Sequence, residues 1–195
     1  MADHEHTHDD EHDHDHDDEL TEAERLVRKE IALSQIRQYG DPVLRMRAED
    51  VEQFDDELRR VTERMRSLMH DADGIGLAAT QVGILRRFFV CTIDGEDRVL
   101  VNPVITERSD DTEVDGEGCL SLGPVRVPVE RADRVRIEAR DERGEPVVLE
   151  LEGFPARVVQ HELDHLDGTL MLDRTDAESR REALGVLRPR LVLTP

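Results

Sequence analysis

The strongest constraint on this chain is a five-residue pattern, His161-Glu162-Leu163-Asp164-His165. On a helix, two histidines four residues apart lie on one face, about one turn from each other. Two imidazoles in that arrangement can hold one metal ion, and the glutamate between them can reach a water bound to that ion. The pattern therefore predicts a metal site with hydrolytic chemistry, whose third ligand must come from elsewhere in the chain.

The residues around the pattern have the features of a helix with one buried face. Pro155 suits the first helical turn, and Gly168 suits the position just past the helix end. Apolar residues recur at three-to-four-residue spacing, namely Val158, Val159, Leu163 and Leu166. We predict a helix over residues 154–167. A surface helix in which two histidines are spaced by chance is the alternative interpretation of the pattern alone.

The length and composition of the chain indicate a single soluble domain. Its 195 residues are enough to bury a core, and the sequence contains neither a membrane-spanning apolar run nor a basic secretory signal. We therefore expect a cytoplasmic protein with no membrane partner. The net charge of −21 disfavours indiscriminate nucleic-acid binding, and we expect no direct sequence-specific nucleic-acid binding. Cys91 and Cys119 are too few for a disulfide framework.

The first segment, residues 1–20, differs in composition from the rest of the chain. It alternates histidine with aspartate and glutamate and has hardly any apolar side chains. Such a segment cannot bury enough surface to offset its ordering entropy, so we predict that it is disordered. Two interpretations stay open: the tail gathers divalent metal ions, or it is simply a solvated acidic tail.

The rest of the sequence is predicted to form a catalytic domain over residues 21–175, followed by a C-terminal helix and tail over residues 176–195. A capping box at Thr21 and Glu24 opens a short helix, and Asp55 precedes an amphipathic helix of about 13–15 residues. Strands are predicted near 86–93, 98–106, 125–129, 134–140 and 146–152. Residues 107–118 are predicted to form an acidic loop. The fold class is α+β, with antiparallel sheets packed around a central metal-binding helix.

The third metal ligand has candidates on both sides of the histidine pair. Downstream are four acidic residues in a polar segment, Asp173, Asp176, Glu178 and Glu182. Upstream is Cys119, in a Glu-Gly-Cys-Leu-Ser turn; a thiolate is a strong ligand for a borderline or soft metal. A small buried hydrophobe is the alternative role for this cysteine. One thiolate, two imidazoles and a water would favour zinc on ligand grounds.

Three stretches of this sequence together resemble the motifs of the peptide deformylases. They are Gly74-Ile75-Gly76-Leu77-Ala78-Ala79-Thr80-Gln81, Glu117-Gly118-Cys119-Leu120-Ser121 and Gln160-His161-Glu162-Leu163-Asp164-His165. They occur in the order found in that family, and the resemblance covers roughly residues 32–174. Agreement of three linked motifs is far more specific than a lone H-E-x-x-H.

The resemblance implies an enzyme of protein biosynthesis and N-terminal processing. Its substrates would be N-formylmethionyl nascent peptides, from which it would remove the formyl group and release formate. Cys119, His161 and His165 would hold the metal, and Glu162 would be the general base. Gln81 and Leu120 would donate hydrogen bonds to the formyl oxygen. Four residues would contact the peptide: Ile75, Gly76, Gly118 and Val158, the last of which suits ordinary core packing equally well.

The resemblance also bears on the metal and on partners. The family works mostly with Fe²⁺ and accepts Ni²⁺ or Co²⁺, so iron is expected first, with Zn²⁺ as a substitute. Residues 174–195 carry five arginines and three acids, which makes ribosome docking a weaker hypothesis. Two rival functions stay open: a metallopeptidase or other amide hydrolase, and a non-catalytic metal-binding protein. Asp164 would either orient a neighbour of the metal or be a solvated helix charge.

Overall fold

The structure is a computed structural model that describes residues 21–187. The predictions for residues 1–20 and for the end of the C-terminal tail lie outside the described residues. In the described part, no helix combines the length and the apolar character needed to cross a membrane.

Four α-helices occur between residues 21 and 187: α1 (Glu22–Ser34), α2 (Asp56–Asp71), α3 (Phe154–Leu166) and α4 (Ala177–Leu187). The predicted capping box of α1 is confirmed, since the Thr21 side chain accepts from the Glu24 N–H and the Glu24 carboxylate accepts from the Thr21 N–H. Asp55 caps α2 by accepting from the Leu58 N–H at 3.0 Å. Local hydrogen-bond chemistry thus sets where both helices begin.

The described residues contain seven strands: β1 (Gly76–Ala78), β2 (Phe88–Ile93), β3 (Glu96–Arg108), β4 (Thr112–Gly118), β5 (Arg126–Ala132), β6 (Arg134–Arg140) and β7 (Pro146–Glu152). Five form one sheet in the order β1-β2-β3-β6-β7, and β4 pairs with β5 in a second sheet. Every pair is antiparallel. Between β2 and β3, Asp94 and Gly95 both have positive φ, as a two-residue hairpin turn requires.

The prediction of a loop over residues 107–118 is wrong. Most of that segment is β4, which pairs with β5 in continuous register from Thr112–Ala132 to Gly118–Arg126. Most of the β4 side chains are exposed, so the segment lacks the apolar alternation by which a strand is recognised. The backbone pairing of β4 matters for function because it ends at the residue before Cys119.

Helix α3 lies in the interior between the two sheets. Ten of its residues are buried, and it contacts β1, β2, β5 and β7. Its apolar positions pack in one core cluster with side chains of the five-stranded sheet, including Phe89, Leu100 and Ile137. The predicted architecture, antiparallel sheets around a central helix, is therefore confirmed. This burial fixes the position of every side chain that α3 presents.

Candidate metal centre

Three potential metal ligands meet at the middle of the molecule. One ligand atom from each of Cys119, His161 and His165 lies within 4.8 Å of the others. The Cys119 Sγ is 3.2 Å from Nε2 of His165. Across residues 21–187 this is the one group of three or more histidine, cysteine or carboxylate side chains close enough to share an ion. The structure therefore brings the upstream cysteine, rather than a downstream acid, to the histidine pair.

Two separate elements present these donors. His161 and His165 lie one turn apart on α3, as the four-residue spacing predicts. Cys119 follows the last residue of β4 in extended conformation and begins a short 3-10 turn, Leu120–Leu122. The downstream acid Asp173 is otherwise engaged, since it is paired with Arg45 and accepts from the Leu170 N–H.

His161 is oriented by a buried carboxylate. Its Nδ1 lies 2.8 Å from Oε2 of Glu117, which leaves Nε2 for the metal side. Glu117 also accepts from Arg131 at 2.8 and 2.9 Å and from Arg157 at 3.0 Å. Burial acts to raise the pKa of Glu117, but the hydrogen bonds from Arg131 and His161 outweigh it and hold that pKa well below its usual range. Glu117 is therefore a permanent anion behind the histidine.

Arg131 connects this carboxylate to α3. Its Nη1 donates to Oδ2 of Asp164 at 2.6 Å, and Arg174 donates to both oxygens of the same carboxylate. Asp164 is only 8% exposed, so the interpretation as a solvated helix charge is wrong. The aspartate acts on the centre through Arg131 and Glu117, and the network ties β5 to the histidine helix.

Glu162 lies on α3 next to His161, and one of its carboxylate oxygens makes no hydrogen bond to the described residues. It is 4% exposed, and its Oε2 is buried without a hydrogen-bond partner among the described residues. Burial raises the pKa of Glu162 to about 7, with the charge of His161 acting in the opposite direction. A buried carboxyl group with a pKa near neutrality is suited to accept a proton and give it back.

Gln81 has its amide held in one orientation. Its Oε1 accepts from the Ala78 N–H at 2.8 Å, so its NH₂ group faces Ser121 and Cys119. Nε2 lies 3.1 Å from the Ser121 Oγ and 3.6 Å from the Cys119 Sγ. The donor of Gln81 is thus fixed beside the three ligands.

A cavity of about 690 Å³ opens onto this centre. Among its lining residues are all four predicted substrate contacts and the three predicted catalytic residues: Ile75, Gly76, Gly118, Val158, Gln81, Leu120 and Glu162. Val158 is 8% exposed and packs in the core cluster of α3, so its role in core packing is confirmed, and its contact with substrate stays a prediction. Phe154 and Arg157 line the same cavity from the start of α3.

The residues present fit a divalent metal ion. A cysteine thiolate and two imidazoles are ligands that borderline metals prefer, and three protein ligands leave a coordination position for water. The buried Glu162 Oε2 has no hydrogen-bond partner among the described residues, as expected for an atom that gains a polar neighbour when an ion is bound. The buried anion behind His161 is the partner that a metal-ligating histidine usually has.

Arg131 and Arg157, the two arginines that bond to Glu117, were not identified from the sequence, although it contains a signal for each. Side chains two residues apart on a strand point to the same face. Arg131 therefore shares the inner face of β5 with Val127 and Val129, both of which are buried. Arg157 precedes His161 by four residues and therefore shares its helix face. A charged residue at an inward position calls for a buried partner. Glu117 is that partner for both.

Known proteins match this chain closely. A family model described as polypeptide deformylase matches residues 33–181. A peptide deformylase from Thermotoga neapolitana is 48% identical over 157 residues, which cover 80% of this chain and 93% of that protein. One from Acidothermus cellulolyticus is 46% identical over 158 residues, covering 81% and 87% respectively.

Solved structures agree with the sequence comparison. The crystal structure of the Thermotoga maritima peptide deformylase shares 49% identity with a TM-score of 0.71, covering 72% of this chain and 96% of that one. That of a Synechococcus elongatus peptide deformylase, in complex with actinonin, shares 42% identity with a TM-score of 0.75, covering 78% and 84%.

The α+β fold and the Cys-His-His centre beside a buried glutamate together define a metal-dependent hydrolase. The matched region contains all three motifs and extends over more than two thirds of the chain. The chain belongs to the peptide deformylase family.

Proposed function

We propose that this chain hydrolyses the formyl amide of N-formylmethionyl nascent peptides and releases formate. The observation that carries the proposal is the unused Glu162 oxygen beside three potential ligands at the end of an open cavity. Mere chelation would require neither this buried carboxyl nor the fixed amide of Gln81. Family membership supports the same reaction.

The residues that would hold the metal are Cys119, His161 and His165. A bound divalent ion supplies a water of lowered pKa and polarises the formyl carbonyl. Arg131 and Arg157 support the ligand set by holding Glu117 against His161. These contacts fix the imidazole orientation before any substrate arrives, and such preorganisation avoids a reorganisation cost during reaction.

Glu162 would move the proton. With a pKa of about 7, it accepts a proton from the attacking water and donates it to the nitrogen of the departing methionine. General acid–base transfer of this kind contributes about 10²–10⁴-fold to rate. The surrounding core excludes bulk water from the carboxyl, since Glu162 is 4% exposed.

Gln81 and Leu120 would stabilise the charge that develops on the formyl oxygen. Gln81 offers its side-chain NH₂, held in place through the Ala78 N–H, and Leu120 offers its backbone N–H next to Cys119. A measured oxyanion donor in another enzyme contributes about 2.7–4 kcal/mol. Both donors are rigid because one is buried and the other belongs to a short helical turn.

The peptide would bind in extended form between two strand ends. The carbonyl of Ile75 accepts from the Thr92 N–H at 2.9 Å, so it faces β2. Because backbone polar groups alternate along a strand, those of Gly76 face the cavity instead. Gly76 can therefore pair with the substrate backbone as an added strand would. Gly118 lines the opposite side, and Val158 lines the space for the methionine side chain.

Metal identity, partners and domain limits are further parts of the proposal. Family resemblance supports Fe²⁺, with Ni²⁺ or Co²⁺ as substitutes, whereas the donor set alone suits Zn²⁺. Residues 21–175 would be the catalytic unit, acting in the cytoplasm. The arginines of residues 176–195 would contact the ribosome, and ribosome co-sedimentation of the chain ending at Thr175 tests this: unchanged binding contradicts it.

An acyl-group comparison tests the reaction. Anaerobically purified protein with measured metal content is assayed on formyl-Met-Ala-Ser, acetyl-Met-Ala-Ser and unblocked Met-Ala-Ser. We expect formate release from the first peptide alone, because an acetyl methyl group needs space that the formyl hydrogen does not. Cleavage of the acetyl peptide or of a peptide bond would instead indicate a general amide hydrolase or a metallopeptidase. No turnover with full metal occupancy would indicate a metal-binding protein.

The Glu162→Gln variant separates binding from catalysis. We expect it to keep the metal content of the wild type, since glutamine preserves the shape and Glu162 is not in the ligand group. Its kcat should fall by about 10²–10⁴-fold, because the amide cannot carry the proton. Metal analysis and formate release are measured on the same sample. Wild-type turnover in this variant would exclude Glu162 as the general base.

A further inference from the structure

One side chain lining the cavity comes from outside the region shared with the family. Lys29, the only lysine of the chain, belongs to α1, whereas the family model begins at residue 33. Lys29 nevertheless lines the same cavity as Gly76 and Glu162. Lys29 thus adds to the cavity wall a charge that the matched region does not provide.

Lys29 forms an ion pair at the mouth of the cavity. Its Nζ lies 2.8 Å from Oδ2 of Asp73, and the two side chains are 40% and 72% exposed. Asp73 has a φ of 55° in the turn after α2. This turn is fixed by backbone hydrogen bonds from Asp73 to the His70 carbonyl and from Gly74 to the Met69 carbonyl. The backbone at Asp73 is therefore fixed, while both exposed side chains can adjust to a ligand.

The expected path of the peptide leads to this pair. The reacting end of the substrate lies beside Gly76, because that glycine adjoins Glu162. An extended peptide advances about 3.3 Å per residue, and the cavity lining continues from Gly76, where β1 begins, through Ile75 and Gly74 to Asp73. If methionine lies beside Gly76, the second residue lies beside Ile75 and the third beside Gly74. The third residue therefore arrives next to Asp73 and Lys29.

We infer that Lys29 sets the charge preference at the third residue of the formyl peptide, favouring an acidic side chain there. Asp73 alone would repel an acidic residue and attract a basic one. An ammonium group has three donors, so Lys29 can keep its bond to Asp73 and still donate to a substrate carboxylate. The inference rests on the proposed deformylase function and adds a specificity determinant to it.

The test compares two peptides, formyl-Met-Ala-Asp-Ser and formyl-Met-Ala-Lys-Ser. The quantity measured is the ratio of their kcat/KM values, in which the concentration of active enzyme cancels. We expect Lys29→Met to lower the ratio of Asp to Lys peptide by about two- to fivefold, the range of a partly exposed ion pair. Lys29→Glu should lower it further, and Lys29→Arg should restore it. Raising ionic strength should shrink these differences.

The matched control is Arg60→Met, which removes the same charge from an exposed position of α2 that does not line the cavity. It should keep the wild-type ratio. An unchanged ratio in both Lys29→Met and Lys29→Glu, with formate still released, overturns the inference and leaves the proposed function standing. A complete lack of formate release by the metal-loaded wild type overturns the proposed function and the inference with it.

Discussion

Gly76 is a residue at which the backbone passes close to the proposed proton carrier, Glu162. A Cβ at this position would lie 2.2 Å from Oε1 and 2.6 Å from Cδ of Glu162. Distances under 3 Å require something to shift, and the atoms in the way belong to the carboxyl group of Glu162. The requirement for glycine here is thus one of space for the carboxyl group, since Gly76 is not among the glycines of positive φ.

Gly76→Ala should therefore impair catalysis more than stability. We expect the methyl group to displace Glu162 and to lower kcat by about 10²-fold, the effect of a misplacement near 1 Å. Gly185→Ala is the control, because a Cβ there meets nothing and alanine suits the interior of α4. Formate release and thermal unfolding are measured for both variants. A fully active Gly76→Ala enzyme would contradict the assignment of Glu162.

At the scale of elements, α3, β4 and β5 are joined by the buried charges around Arg131. The guanidinium is 6% exposed and bonds to carboxylates from β4 and α3. Removing one member of such a group leaves the other charges unpaired in the interior, which is far more costly than losing a surface pair. The network thus supports both the fold and the orientation of His161.

Arg131→Met should lower the free energy of unfolding by about 3–5 kcal/mol, because Glu117 and Asp164 lose their shared partner. Denaturant unfolding with chelator present measures this without a contribution from metal affinity. Arg134→Met, which removes an exposed arginine paired with Asp111, should cost less than about 1 kcal/mol. Equal losses in the two variants would contradict the importance of the buried network.

Asp173 joins three elements near the start of α4. It is paired with Arg45 and Arg180 and accepts from the Leu170 N–H, and these contacts, against the effect of burial, lower its pKa. A carboxyl whose pKa is lower in the folded state stabilises the fold above its ordinary pKa of about 3.9. That stabilisation begins to decrease as pH falls below this value and is lost as pH falls through the lower pKa of the folded state.

Asp173→Asn should therefore be less stable than the wild type by about 0.5–1 kcal/mol at pH 7, and the difference should decrease as pH falls below the ordinary pKa of aspartate, about 3.9. Urea unfolding at several pH values measures it. Asp110→Asn, at an exposed turn position, should change stability by less than about 0.5 kcal/mol at every pH. A constant difference between wild type and Asp173→Asn across the pH range would mean that the charge of the Asp173 carboxylate does not contribute to stability.

The sequence was most informative where periodicity and chemistry coincide. Helix α3 combines apolar spacing, an N-terminal proline and paired histidines, and its observed limits differ from the prediction by one residue. Strand β4 escaped prediction because it is held by backbone pairing to β5, and its side chains are mainly polar and exposed. Lys29 reaches the cavity through the packing of α1 against α2, which no local pattern encodes.

At the scale of the whole molecule, the three donors lie at the end of β4 and on α3, so an ion held by all three would join these elements and should stabilise the native fold. A ligand that binds only the folded state adds about 2.7 kcal/mol when present at one hundred times its Kd. Chelation should lower the thermal midpoint of the wild type and abolish formate release. In Cys119→Ala, chelation should change the midpoint much less. An equal change in both proteins would mean that Cys119 does not bind the ion.

Cys119 and His165 are 46 positions apart in the chain but adjacent in space. During synthesis the thiol is made before either imidazole, so it exists for a time without the partners that would share an ion with it. A thiol in that state is open to sulfenic acid formation and to further, irreversible oxidation. Both imidazoles lie C-terminal to the thiol, so the complete ligand set exists only once residue 165 has been added to the chain.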